Sequence, residues 1–284
     1  MKKILSILIT LLVLVGCSNA SLKPSHNEIL FKINGKEIRE DDVFESMHLS
    51  NNSFQIVRSE AQKILLNYLV EEDDDFNKQV QERLEEAKTT LGDNFDLFLK
   101  ENGFENEEEY IDTIVKDIVR LDIALTQAMD DDYENIKSKR PRQVKIIEVE
   151  ADSANKALEL AKSGSSLEEV YEEYGVENTQ YKGNVILVSE NSNLDTAPLD
   201  KLLNATDNGL IKEVVTSSST NAQYILEVVN IDADELKDEV IEEFINDSEL
   251  SEKYLAKLFS KHKFKLYDQH LYDAFNENLP EYIK

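Results

Sequence analysis

A single cysteine, Cys17, is all the thiol this 284-residue chain carries. One thiol cannot form an intrachain disulfide, and it excludes the zinc sites that need paired cysteines. Histidine is nearly as scarce: His26, His48, His262 and His270 are scattered, without the spacing of a metal site. No metal or cofactor is expected, and neither a nucleophile–base constellation nor a phosphate-binding loop is visible. Positive charge is the next shortage. Lys and Arg number 31 against 58 Asp and Glu, a formal net charge of −27. Phosphate backbones repel such a chain, so nucleic acid is excluded as a partner. The runs "EEDDD" (Glu71 to Asp75) and "DDD" (Asp130 to Asp132) lack the ligand spacing and turn glycine of a calcium loop, and read as solvated helix ends. A field of this sign favours basic, unfolded polypeptide. The sharpest gap is local: from Arg140 to Ile231 there is no His, no Cys, no Met and no Phe.

Long apolar runs are also rare. One spans Ile4 to Val15, after Lys2 and Lys3, with the length of a signal-peptide core and too short to cross a bilayer comfortably. It ends in Leu14-Val15-Gly16-Cys17, which resembles the lipobox of bacterial lipoproteins at all four positions. The resemblance implies cleavage after Gly16 and diacylation of the Cys17 thiol. Residues 1–16 are then a leader whose loss removes two lysines, taking the net charge from −27 to −29. Residues 17–27, mostly the polar "SNASLKPSHN", read as a tether reaching about 20 Å from the membrane surface. With no disulfide available, apolar burial must stabilise the body.

From there the periodicity is mainly helical. "EILFKINGKEI" alternates Ile29, Phe31 and Ile33 before a tight Asn34-Gly35 turn, a strand signature. Helices are predicted from about Asp41, over Ser53–Val70 with Phe54, Val57, Ala61, Ile64, Leu65, Tyr68 and Leu69 inward, and over Asp75–Leu91. A short one from Asn94 stops at Gly103, suited to a left-handed cap, and a long one opens at Asn106. Near Arg140-Pro141 the period changes. Val144–Val149, Asn184–Val188, Leu210–Val215 and Ala222–Ile231 read as four strands, with helices over Ser153–Ser163 and Ser166–Tyr174 on one side. From Asp234 one amphipathic helix runs through Leu236, Val240, Phe244, Tyr254 and Phe259. "KFKLYD" (Lys263 to Asp268) reads as a last strand, with Asp268 capping a terminal helix. The C-terminal helix needs a partner, and the helical first half supplies one. The fold class is thus α+β, with a discontinuous helical domain (28–139 and 232–284) and a small inserted domain (140–231).

Three stretches of this body resemble the PrsA-type foldase lipoproteins and, more distantly, the SurA-type periplasmic chaperones. They are "INGKEIREDDVF" (Ile33 to Phe44), "TTLGDNFDLFLKENGFENEEEY" (Thr89 to Tyr110) and "DDDYENIKSKRPRQVKIIEVEADSANKALELAKSG" (Asp130 to Gly164). The first departs from the family at Arg39, where a capping Ser or Thr is usual. The resemblance makes the insert a parvulin-like domain, whose relatives catalyse peptidyl-prolyl isomerisation. Their site holds two histidines, a Cys or Asp, and a Met-Phe pair around the proline ring. Carried over here, the histidine positions fall on Lys145 and Tyr224, the Met-Phe pair on the Ala197–Leu203 stretch, which has neither, and the double-glycine loop on Lys182-Gly183-Asn184. A lysine on a flexible stem and a single phenol are not the preorganised neutral donors that a twisted prolyl amide needs. Lys145 is expected to turn its charge to solvent.

The resemblance therefore implies a lipid-anchored chaperone or foldase on the outer face of the cell membrane, by family likeness that of a Gram-positive cell. Its partners would be unfolded or newly translocated secreted proteins, and the membrane through the lipid on Cys17. A homodimer through the insert is the self-association left open. The alternative is an active parvulin-type isomerase with an unorthodox site. A solute-binding lipoprotein fits less well, since repeated strand–helix alternation and two lobes are missing. Replacing Cys17→Ser is expected to abolish lipid labelling and to move the protein from the detergent phase to the aqueous phase on Triton X-114 partition of expressing cells.

Overall fold

The computed structural model describes residues 27–33, 35–48, 50 and 52–283; the leader and Cys17 lie outside them. The architecture is α+β and divides into two compact units, Met1–Leu125 with Glu252–Lys284, and Thr126–Ser251. Among the described residues, no helix is long and apolar enough to cross a membrane.

The first unit opens with a hairpin, β1 (Ile29–Ile33) antiparallel to β2 (Lys36–Arg39). Gly35 takes a φ of 80°, which a turn this tight demands, while Asn34 lies outside the described residues. Helix α1 (Glu40–His48) starts without a Ser or Thr cap; instead Asp42 Oδ2 accepts the N–H of Arg39 at 2.9 Å. Helix α2 (Ser53–Leu69) buries Phe54, Leu65 and Leu66. Ile64 and Tyr68, expected inward, are instead more than two-thirds exposed. Both belong to a second apolar stripe about 100° round the helix from Leu65, so one helix has two apolar faces and only one is covered. Ile29 and Ile33 of the hairpin are exposed in the same way.

Asp73 caps α3 (Asp74–Leu91) by accepting the N–H of Phe76 at 2.8 Å. After it come α4 (Phe95–Glu101), a left-handed Gly103 at φ 82°, and Asn106, which caps α5 (Glu107–Tyr110). A π-helical turn, Ile111–Val115, carries α5 into α6 (Lys116–Asp131). Tyr110 explains the spacing of the aromatic residues before it: Phe95, Phe98 and Phe104 all meet its ring edge-on, at 6.0, 5.7 and 5.4 Å.

The second unit is wider on both sides than the residues 140–231 marked by composition. It takes in the end of α6, α7 (Tyr133–Lys137) and a late helix. Its sheet is antiparallel, in the order β4-β3-β7-β5, from β3 (Arg142–Val149), β4 (Lys182–Val188), β5 (Gly209–Leu210) and β7 (Gln223–Asn230). A fifth strand, β6 (Val215–Thr216), also pairs with β7. The single strand expected over Leu210–Val215 is thus split into β5 and β6. Helices α8 (Ala154–Lys162) and α9 (Leu167–Tyr174) cover one face, packing Ala157, Leu158, Leu167 and Val170 against Ile147 and Ile225. The other face is covered too, where the sequence places helices on one side only. Helix α10 (Thr196–Leu203) sets Leu202 among Val144, Ile146, Leu226 and Val228. Its sequence conceals it because Pro198 stands in its first turn, where the missing N–H has no helical partner to lose. Arg142 secures its far end, donating to the carbonyls of Leu202 and Ala205 at 3.0 and 2.6 Å.

Beyond β7, α11 (Lys237–Asn246) buries Val240, Ile241 and Phe244, and Tyr133 of α7 donates to the Ala233 carbonyl. The chain then returns to the first unit through α12 (Ser248–Lys261). The long helix expected from Asp234 is two helices, because the Asp247 carboxylate caps the second one through the N–H groups of Glu249 and Leu250. No strand forms over Lys263–Asp268. Lys263 instead closes α12 in a left-handed cap at φ 59°, and Phe264 folds back onto Phe259 with ring centroids 5.0 Å apart. Asp268 then caps α13 (Gln269–Asn278) as its position implied.

The closing segment completes the first unit. Phe275 meets Phe54 at 6.1 Å, and the Tyr282 ring lies 4.9 Å from Phe259. Buried Tyr282 donates to Glu252 Oε1 at 2.6 Å, Arg58 Nε donates to the Tyr282 hydroxyl at 3.2 Å, and Arg58 also pairs with Glu252. Removing the guanidinium with Arg58→Ala leaves a buried phenol and a carboxylate half-satisfied. The unit is expected to lose about 1–2 kcal/mol, read from the urea unfolding midpoint, whereas Lys63→Ala on the exposed side of α2 should change it by less than about 0.5 kcal/mol.

Candidate functional site

The two positions inherited from the isomerase resemblance do not meet. Alternation along β3 puts Lys145 on the face covered by α8 and α9, beside Ile147. Its ammonium is not turned to open solvent but reaches α9, 2.8 Å from Glu168 Oε1, and this hydrogen bond holds the Glu168 carboxyl below the usual carboxylate range. Tyr224 lies on the opposite face, in register with Glu148 and among Val144, Ile146 and Leu202. The β3 side chains that share a face with Tyr224 are the fully buried aliphatic Val144 and Ile146 and, directly opposite it, the half-buried Glu148, whose carboxylate accepts from Thr179 Oγ1 at 2.8 Å.

Tyr224 is itself filled in. Its ring meets Tyr181 edge-to-face at 5.8 Å, and only 5% of the residue is exposed. Burial, with the nearby carboxylates Glu148 and Asp195, pushes its phenol up to about 12. Where the Met-Phe pair was expected, Pro198, Leu202 and Leu203 point into the core. Gly183, the surviving loop glycine, has a φ of 91°, and a Cβ there would stand 2.8 Å from the Glu168 nitrogen and 2.9 Å from the Leu167 carbonyl carbon. It remains glycine because α9 comes that close.

Next to Tyr224 is a polar knot that sequence reasoning passed over. Ser219 donates to Asp195 Oδ1 at 2.7 Å, Ser217 and Ser219 share a 3.0 Å bond, and Ser217 Oγ accepts the N–H groups of Ser219 and Thr220. Bonds from Ser217 and then Ser219 hold Asp195 below its ordinary pKa. The "TSSST" run was its signal, and its bonds are those of a turn stitched to the start of α10. A groove of about 610 Å³ opens between α10 and the Ile211–Thr216 segment, bridged by Lys201 and Glu213 at 2.5 Å; neither Lys145 nor Tyr224 lines it. Among the described residues, no group of three or more His, Cys, Asp or Glu is placed to hold a metal ion. His262 meets the exposed Tyr68 ring at 5.7 Å.

Exposure is distributed unevenly. All but two of the large apolar or aromatic side chains exposed among the described residues belong to the helical unit, with Ile64, Tyr68 and Tyr267 the most exposed. The exceptions are Val185 and Ile186 on β4.

No protein-family model matches the chain, and no curated protein matches it in sequence. Solved structures do. Its structural neighbours include PrsA foldases and a SurA-like chaperone of Campylobacter jejuni. The foldase PrsA of Streptococcus pneumoniae aligns at 19% identity and a TM-score of 0.48, over 90% of this chain and 100% of that one. PrsA of Bacillus cereus, a peptidylprolyl isomerase, aligns at 20% and 0.47, over 88% and 98%. PrsA of Lactococcus lactis aligns at 18% and 0.42, over 90% and 100%.

The buried phenol makes a measurable demand. Unfolded tyrosine ionises near 10, so the stability gained from keeping Tyr224 protonated is whole below pH 10 and is lost as pH rises through about 12. Tyr224→Phe is expected to flatten the fall in unfolding free energy between pH 10 and 12 and to remove one late-ionising phenol from the absorbance titration at 295 nm.

Proposed function

We propose that this chain is a membrane-anchored extracytoplasmic chaperone that assists the folding of secreted proteins by surface contact, without isomerase activity. The observation that carries the reading is the apolar exposure of the helical unit, where one stripe of α2 presents Ile56, Ile64 and Tyr68 to solvent. Isolated exposed apolar residues are ordinary, but several concentrated on one unit are what a binder of unfolded chains requires. The acidity fits the same task, since a net charge of −27 keeps an apolar surface soluble and draws basic segments toward it. The lipobox at Leu14–Cys17 and the three family-like stretches support placement outside the cell.

The proposed absence of isomerase activity rests on the separation of Lys145 and Tyr224 to opposite faces and on the close packing of Val144, Ile146, Leu202 and Tyr181 around Tyr224. Rotation about a prolyl bond needs a dry cavity with donors, and that space is occupied. The mature protein is expected to suppress aggregation of a refolding client at a stoichiometric ratio. Ile64→Lys with Tyr68→Ser should weaken suppression several-fold at unchanged melting temperature. In a protease-coupled proline-peptide assay the chain should leave the uncatalysed rate unchanged. Failure with several clients, or turnover that Tyr224→Phe abolishes, defeats the reading.

A further inference from the structure

We infer that the free edge of β4 takes an extended segment of a client polypeptide by strand addition, and that it favours segments with carboxylates at their ends. The inference rests on the chaperone reading above and gives the second unit a binding role of its own. Strand β4 closes one side of the sheet: it pairs with β3, Arg142 opposite Val188 and Lys145 opposite Val185, and is the last strand of the path. Among the described residues, no backbone hydrogen bond beyond that ladder engages Val185–Leu187. Edge strands of soluble proteins are usually blunted by inward charges, proline or brevity. This one runs for seven residues, KGNVILV; its first three are bulged, since Lys145 pairs with Val185 but Ile147 with Lys182, and the regular part beyond leaves Val185 and Ile186 exposed on its two faces. A segment added here would gain main-chain hydrogen bonds and an apolar contact on each face.

Charge selects the occupant. At the start of β4 the Lys182 ammonium stands over the Tyr171 ring at 5.9 Å rather than against a carboxylate. Past its end, Lys139 and Arg140 share the single carboxylate of Glu190. In the middle, Lys145 is matched by Glu168. The edge is therefore apolar at its centre and cationic at both ends, on a chain of net charge −27. A second copy fits poorly: antiparallel pairing of β4 with itself would bring each Lys182 toward the partner's excess cation. A client strand ending in Asp or Glu satisfies both ends, within the roughly 8 Å over which such charges act at physiological salt.

The test uses the mature protein and a fluorescein-labelled alternating Val-Thr peptide with Glu at both ends, followed by anisotropy. The peptide is expected to bind. Its analogue N-methylated at alternate residues should bind at least about tenfold more weakly, since half its main-chain donors are gone. Lys182→Glu should weaken the Glu-ended peptide and strengthen a Lys-ended one, and Ile186→Lys should weaken both. Equal binding of the N-methylated peptide, or indifference to Lys182→Glu, overturns the inference. So does a concentration-dependent dimer that Ile186→Lys dissolves, which would assign the edge to a second copy. If the peptide fails to bind while the same preparation still suppresses aggregation, strand addition falls and the chaperone reading stands; loss of suppression as well defeats both.

Discussion

The hydrogen-bonded node of Arg58, Glu252 and Tyr282 joins residues up to 224 positions apart and decides what kind of molecule this is. It makes the helical unit discontinuous, closed only when α12 and the tail return to α2. Closing so long a connection costs little more than closing a short one, because loop entropy grows only logarithmically, by about 0.6 kcal/mol per doubling. A folded insert shortens the effective loop further. Around the node, Phe54, Phe259 and Phe275 supply the burial that the absence of disulfides makes necessary. With its ends fastened from within, the unit can leave a second stripe of α2 uncovered and remain folded.

The sheet unit shows the complementary economy. Helices cover both faces of its sheet, and around Tyr224 aliphatic side chains and a second tyrosine fill the space beneath α10. Polar contacts in the unit act as stitching: the Arg142 grip on α10, the Lys145–Glu168 bridge on the opposite face, the Thr179–Glu148 bond, the serine turn on Asp195. Each ties one local element to another and fixes the faces and edges that the unit presents.

Much of this was legible in the chain. The hairpin at Gly35, the left-handed cap at Gly103, the start of the long helix at Asn106 and the cap at Asp268 follow from local chemistry, and the structure has each of them. The readings that failed depended on tertiary choice. Periodicity marks α2 as apolar on both stripes, and which of them finds a partner depends on the elements packed against it, so the exposure of Ile64 and Tyr68 is not written in the helix itself. Lys263–Asp268 has strand composition, but a left-handed Lys263 and the pull of Phe259 on Phe264 leave it no ladder to join. Lys145 and Tyr224 were paired by resemblance, whereas the antiparallel register sets Tyr224 opposite Glu148 and so turns the two apart. Register is a property of two strands together, and one strand's sequence does not contain it.

Gly183 draws a last consequence. Because the backbone of Leu167 and Glu168 occupies the space a side chain would need, β4 is pinned at its first turn to the start of a capped helix. A strand anchored in this way cannot slip along its neighbour, and little conformational freedom is left in it to lose when something docks beside it. Rigidity in the host lets the guest supply the disorder: a mobile chain can sample the rim and settle where its own residues match.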